Sequence, residues 1–312
     1  MSKITIQEGW HRFPDGFEAY TKAWIPQQSP PIAHYVFIHG YSDHINSYGG
    51  CAPALAENGI KVHSLDQRGW GRSVKTPAVR GRTGPTKQVI DDMTSFITSV
   101  LEESSKDGVP LFLMGHSMGG GQVLQYAAKG PPEVLSQIRG FLAEAPLIQV
   151  HPDTKPWKLT EFAGRWAGKL MPHAHMVNKL DHTKLARDPN VGLQFKQDPL
   201  NHETGTLEGL AGMLDRANEL DSGKILLKDS AGEGGKLRLW IAHGDADGVC
   251  DFEATKRFFE RQKLADKEFR IYEGWYHVLH AEAGADERKF AEDVVEWVKA
   301  RCGPLEGTKS RL

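Results

Sequence analysis

Pro110-Leu111-Phe112-Leu113-Met114 runs directly into Gly115-His116-Ser117-Met118-Gly119. The apolar run has the length and character of a strand buried on both faces, as in a parallel sheet. A serine between two glycines at the end of such a strand is a G-x-S-x-G pattern, and with helical sequence beyond it the chain must make a sharp strand–turn–helix bend. Strand and helix come so close there that side chains at positions 115 and 119 would clash. Ser117 itself must adopt backbone angles that non-glycine residues disfavour. The bend exposes the serine hydroxyl and aims the unpaired N–H groups of the next helix at the place where negative charge would develop.

The rest of the chain repeats the same rhythm. Apolar runs at 33–40, 60–67, 109–116, 138–145, 236–244 and 267–274 read as strands, and amphipathic segments at 86–104, 118–129, 253–263 and 285–301 read as helices. That alternation predicts an α/β fold built on a mostly parallel central sheet flanked by helices. The first 25 residues, turning at Phe13-Pro14-Asp15-Gly16, predict an antiparallel hairpin that leads into the sheet. Residues 149–222 break the rhythm: they are rich in Trp, His, Met and Pro, and Leu159, Phe162, Trp166 and Leu170 share one helical face. We read 1–148 and 223–312 as two parts of one core and 149–222 as an inserted helical lid, with Ala231-Gly232-Glu233-Gly234-Gly235 as the linker back to the sheet.

An unactivated serine is a weak nucleophile, so the chemistry requires a histidine base and a carboxylate to orient it. The chain order Ser, acid, His is met: HGDADGVCD (243–251) and EGWYHVLH (273–280) each follow a predicted strand, where such a sheet gathers its site. Asp245, Asp247 and Asp251 compete for the acid, and His277 and His280 for the base. An oxyanion needs donors too, and the backbone N–H of Met118 supplies one. The loop IHGYSDH (38–44) supplies the other, at Tyr41 N–H, because His39-Gly40 permits a tight turn. His39 and His116 read as residues that hold these loops by hydrogen bonds, and Asp66-Gln67-Arg68-Gly69 as a tie between neighbouring loops.

Other classes are disfavoured. A formal net charge of -2 with scattered Lys and Arg gives no footprint for nucleic acid. Fourteen histidines invite a metal reading, but HExxH does not occur, and His173, His175 and His182 lack the carboxylate spacing of a hydrolytic zinc site. Neither GxxxxGKS nor a strand-linked GxGxxG occurs, so no metal or cofactor is expected. Cys51, Cys250 and Cys302 suggest no disulfide framework and fit a reducing compartment. With no signal-like N-terminus and no membrane-length apolar stretch, a cytoplasmic protein is expected. Ser310-Arg311-Leu312 is a variant of the SKL peroxisomal address, set against a plain polar tail.

HGYSDH, LDQRGWGRS, GHSMGGG, HGDADGVCD and IYEGWYHVLH together make the chain resemble the monoacylglycerol lipases of the α/β-hydrolase superfamily, the fungal members above all. The resemblance spans the core and fades in the lid. It implies Ser117 as nucleophile, Asp247 as orienting acid, His277 as base, and Tyr41 and Met118 as the oxyanion-hole residues. Asp43 and His280 would then line the polar end of the site, where a glycerol headgroup sits. The implied substrate is a small amphiphilic ester. The rival readings are a broader carboxylesterase, thioesterase or lysophospholipase with the same triad, and a non-catalytic ligand-binding protein on the same fold. Trp157, Phe162 and Trp166 among Lys155, Lys158, Arg165 and Lys169 raise a transient lid contact with a membrane or lipid-droplet surface, against a simple core-sealing role. Oligomeric state is not legible.

Overall fold

Eight strands form one sheet in the order β1-β2-β4-β3-β5-β6-β9-β10. They are β1 (Ile4–Arg12), β2 (Glu18–Pro26), β3 (Ala33–Ile38), β4 (Ile60–Leu65), β5 (Leu111–His116), β6 (Ile138–Glu144), β9 (Arg238–Gly244) and β10 (Asp266–Tyr272), with a two-stranded ribbon of β7 (His175–Val177) and β8 (Thr204–Thr206) outside the sheet. This is a computed structural model in which residues 4–48, 50–154, 170–282, 284–286 and 288–305 are described. Leu159, the aromatic and basic residues noted between 155 and 169, and the terminal Ser310-Arg311-Leu312 lie outside them. β1 and β2 form the expected hairpin and β2 pairs antiparallel with β4; every other pairing in the large sheet is parallel.

Side chains alternate across the central strands, so two cores form. From β5, Leu111 and Leu113 join one core with α2 (Thr86–Asp107), α3 (Met118–Lys129) and Ala254 and Phe258 of a later helix. Phe112 and Met114 join the other, with Leu55 of α1 (Cys51–Glu57) and Val294 and Trp297 of the last helix. This period of two is what a strand buried on both faces demands. Gly140 in β6 marks how tight the second core is: a Cβ there would lie 2.7 Å from the Trp297 ring.

After α4 (Pro132–Leu135) and β6 the chain leaves the sheet and returns only at β9. The described part of this excursion contains α5 (Pro189–Gln197) and α6 (Leu207–Asp221), each N-capped by a side chain, Asp188 and Thr206. α6 lies against α3, where Gln125 Nε2 donates to Arg216 O at 2.8 Å. Two helices, α7 (Phe252–Arg261) and α8 (Lys289–Lys299), complete the layers. Among the described residues no helix is long and apolar enough to cross a membrane.

Candidate active site

Ser117 follows the last residue of β5 and precedes the first of α3, with φ 55° and ψ −119°. The flanking glycines are required for the steric reason the sequence suggests: a Cβ on Gly115 would fall 2.2 Å from Gly119 O, and one on Gly119 would fall 2.2 Å from Ile38 O. The strained turn is pinned by backbone bonds, Ser117 N to Glu144 O at 2.9 Å and Leu147 N to Ser117 O at 2.9 Å. Met118 opens α3, so its N–H has no carbonyl within the helix to meet. Gly40 brings the neighbouring loop, and with it Tyr41, against the serine: a Cβ on Gly40 would lie 3.3 Å from Ser117 Cβ. The Tyr41 side chain points away, its hydroxyl donating to Glu203 O at 3.1 Å.

Of the three competing aspartates, the structure brings Asp247 to the histidine. Asp247 Oδ2 lies 2.7 Å from His277 Nδ1 and 2.9 Å from His243 Nε2, and Oδ1 accepts from Val249 N at 2.7 Å and Cys250 N at 3.0 Å. Burial alone would raise its pKa, but His277, His243 and these hydrogen bonds more than offset that and hold the carboxyl well below its ordinary range. Asp245 instead accepts from Gly274 N at the surface, and Asp251 caps α7 through Glu253 N. Asp247, His277 and Ser117 are all buried, Ser117 the least so at 8% exposure. The Cys250 side chain reaches the Ser117 hydroxyl, and burial pushes its thiol pKa well up.

His280, three residues after His277, is not a lone histidine. Its Nδ1 lies 2.7 Å from Glu144 Oε1, which also accepts from His280 N at 3.1 Å. Asp43 is buried, accepting from His44 N at 2.8 Å and from the Tyr48 hydroxyl at 2.5 Å. Asp43 and His280 both line a cavity of about 590 Å³ beneath α5, together with Arg72, Leu185 and Phe195. His116 stands between the two histidines, its ring 4.9 Å from that of His277 and 5.0 Å from that of His280. Burial lowers the His116 pKa to about 3, so its imidazole is neutral.

The loops are tied as expected. His39 Nδ1 donates to Gly40 O at 2.8 Å and its Nε2 accepts from Gln67 N at 2.9 Å, while Asp66 accepts from Ile45 N and Arg72 N. An apolar cluster continues from the serine: Tyr41, Met118 and Leu147 pack with Leu210 and Met213 of α6. Sequence reasoning missed Glu144, Tyr48 and His243. A signal for Glu144 was present, since one acidic residue at the carboxyl end of an otherwise apolar strand must be buried with a partner.

The chain is similar to known proteins over most of its length. Residues 29–284 match the family described as serine aminopeptidase, S33. A Schizosaccharomyces pombe protein named "Putative monoglyceride lipase" is 34% identical over 94% of this chain and 74% of its own length. The monoglyceride lipase of Saccharomyces cerevisiae is 28% identical over 78% of this chain and 77% of its own. The crystal structure of a soluble variant of the S. cerevisiae enzyme, in complex with a substrate analogue, superposes with a TM-score of 0.87, covering 97% of this chain and 98% of that one at 24% identity. The fold is therefore the α/β-hydrolase fold.

Proposed function

Because the chain belongs to the serine aminopeptidase, S33 family of serine hydrolases, we propose that it cleaves monoacylglycerols to a fatty acid and glycerol. The observation that carries the mechanism is the 2.7 Å bond between His277 and Asp247, taken with the strained turn at Ser117. Ser117 Oγ attacks the ester carbonyl while His277 Nε2 takes its proton. Asp247, ionised and fully hydrogen-bonded, holds the Nδ1–H tautomer and stabilises the imidazolium. The N–H groups of Met118 and Tyr41 receive the oxyanion. His277 then gives its proton to the departing glycerol oxygen. A water, deprotonated by His277, hydrolyses the acyl-enzyme and restores the serine.

Asp43 and His280 hold the glycerol hydroxyls at the polar end. The acyl chain follows the apolar cluster of Met118, Leu147, Leu210 and Met213, gaining about 0.8 kcal/mol per buried methylene. Residues 149–222 act as the lid over this path, and α6 joins them to the core. The lid segment 155–169 makes reversible contact with a lipid surface, which vesicle flotation of a Trp166→Ser variant tests. The terminal tripeptide acts as a peroxisomal address, tested by imaging a chain that lacks Leu312.

Ser117→Ala is expected to abolish both hydrolysis and labelling by a fluorophosphonate without loss of fold; residual turnover above a trace would exclude Ser117 as nucleophile. A panel of 1-acyl and 2-acyl glycerols, diacylglycerol, lysophospholipid and short aryl esters tests the substrate. Preference for monoacylglycerol is expected, and equal turnover across the panel would support the broader esterase instead.

A further inference from the structure

Tyr48 fixes the tautomer of His116. The tyrosine oxygen lies 2.5 Å from Asp43 Oδ2, 3.2 Å from Gly40 N and 3.0 Å from His116 Nδ1. It has one proton, which the carboxylate of Asp43 accepts, so His116 Nδ1 must be a donor to the tyrosine oxygen. His116 Nε2 therefore carries a lone pair. That nitrogen is buried and has no hydrogen-bond partner among the described residues, and the same holds for Glu144 Oε2. Ligand atoms of His116, Glu144 and His280 all lie within 4.8 Å of one another, and all three residues are buried. Two buried acceptors with no donor between them is a costly arrangement in a polypeptide, and it is what a cation requires.

We propose that His116 Nε2, Glu144 and His280 form a binding site for a divalent transition-metal ion, with Zn²⁺ as the best fit, and that its occupancy inhibits the hydrolase. Two imidazoles and one carboxylate suit Zn²⁺ and are too few oxygens for Ca²⁺ or Mg²⁺. The ion takes the place of the proton shared by His280 Nδ1 and Glu144 Oε1. Asp43 and Tyr48 supply the outer layer that metal-binding histidines usually have, by fixing the orientation of His116. Entry is through the cavity that His280 lines. His280 lines the cavity proposed to take the glycerol headgroup, so an ion that ligates it competes with the substrate there. Inhibition thus rests on the proposed function, whereas binding does not.

A second group, His34, His63 and Glu103, has a similar composition. It differs in being internally closed. His34 Nδ1 and His63 Nε2 bond to each other at 2.9 Å, His34 Nε2 bonds Asp107 at 2.8 Å, and Lys61 pairs with Glu103.

The test is calorimetric titration of the full-length, metal-free protein with Zn²⁺, together with the visible spectrum of its Co²⁺ form and hydrolysis assays under the same conditions. One saturable site of micromolar or tighter affinity is expected. The Co²⁺ form should show d–d bands without sulfur charge transfer, and EDTA should reverse inhibition whose midpoint follows binding. Glu144→Gln and His280→Gln, each checked for fold by circular dichroism, should weaken binding by roughly 100-fold and remove the Zn²⁺ sensitivity of whatever rate they retain. His63→Gln should change neither. Absence of saturable binding to the wild-type chain, binding that survives Glu144→Gln, binding lost in His63→Gln, or a thiolate spectrum would each overturn the site. Tight binding with undiminished hydrolysis would overturn the inhibition, and a Ser117→Ala protein that still hydrolyses ester would instead overturn the reading of the function.

Discussion

At the carboxyl end of the sheet Asp247 pairs with His277 and Glu144 with His280; toward the amino end Asp107 pairs with His34, which pairs in turn with His63. Distances are alike in the two regions and the histidines are buried in both, but Asp107 and Glu103 are part-exposed whereas Asp247 and Glu144 are buried. The amino-end group, however, closes on itself: its histidines partner each other and the carboxylates Asp107 and Glu103 at the end of α2, and no strained residue lies among them. The carboxyl-end group adjoins a serine at φ 55° and leaves two lone pairs, on His116 and Glu144, without partners among the described residues. A buried histidine bonded to a carboxylate is therefore not in itself a sign of chemistry. What separates the two regions is the strain and the unsatisfied polar capacity that remain after folding.

The comparison breaks most readily through its carboxylates. Asp247→Asn leaves His277 in the wrong tautomer and without its counter-charge, and is expected to lower kcat/KM by about 10⁴-fold with the fold intact. Asp107→Asn is expected to leave kcat/KM unchanged and to cost about 1 kcal/mol of stability, the worth of one hydrogen bond. Steady-state assays with urea unfolding of both variants measure this. A large activity loss in Asp107→Asn would erase the distinction between the regions, and greater damage from Asp245→Asn than from Asp247→Asn would reassign the acid.

A smaller effect is expected at His280. If it holds a glycerol hydroxyl, His280→Ala should lower kcat/KM for a monoacylglycerol by about 10- to 100-fold and should affect the methyl ester of the same acid much less. Equal losses on both esters would remove His280 from headgroup recognition and leave it as a structural partner of Glu144, much as His34 is of Asp107.

The elbow was legible because its constraint is local: Gly115, Ser117 and Gly119 lie within five residues, and sterics alone dictate them. The strands were legible because burial on both faces leaves a continuous apolar run. Choosing among Asp245, Asp247 and Asp251 from the residues alone was not possible, since the choice depends on which one faces a histidine 30 residues away. The partners of His116 and His280 were beyond reach for the same reason. Tyr48 and Glu144 meet them across separations of 68 and 136 residues, through loops whose mutual placement only the assembled sheet determines. His116 was rightly read as a residue that binds a neighbouring loop, but a sequence carries no mark for the nitrogen left over.

The smallest effect expected is in the dependence of stability on pH, and it belongs to the amino-end region. Burial, with the positive charge of His34 and Lys61 adding to it, holds the His63 pKa well below the ordinary value; burial also lowers that of His34, against the opposing pull of Asp107 and Glu103. Above about pH 6.5 His63 is neutral in both the folded and the unfolded chain and contributes nothing to the pH dependence. Below that pH the unfolded chain takes up a proton that the folded chain refuses, so stability must fall as the pH falls, by up to about 1.4 kcal/mol per pH unit for each such group. His116 at the other end contributes to the same slope, since its folded pKa is also depressed. His63→Gln separates them: the amide can still donate to His34 Nδ1 but cannot titrate. Urea unfolding at pH 7.5, 6.5 and 5.5 should show similar stability to wild type at the highest pH and a shallower decline below it, with hydrolysis at pH 7.5 unchanged. A slope identical to wild type would mean that His63 is not kept neutral by the fold, and a fall in hydrolysis at pH 7.5 would mean that the two ends of the sheet are not separate in function.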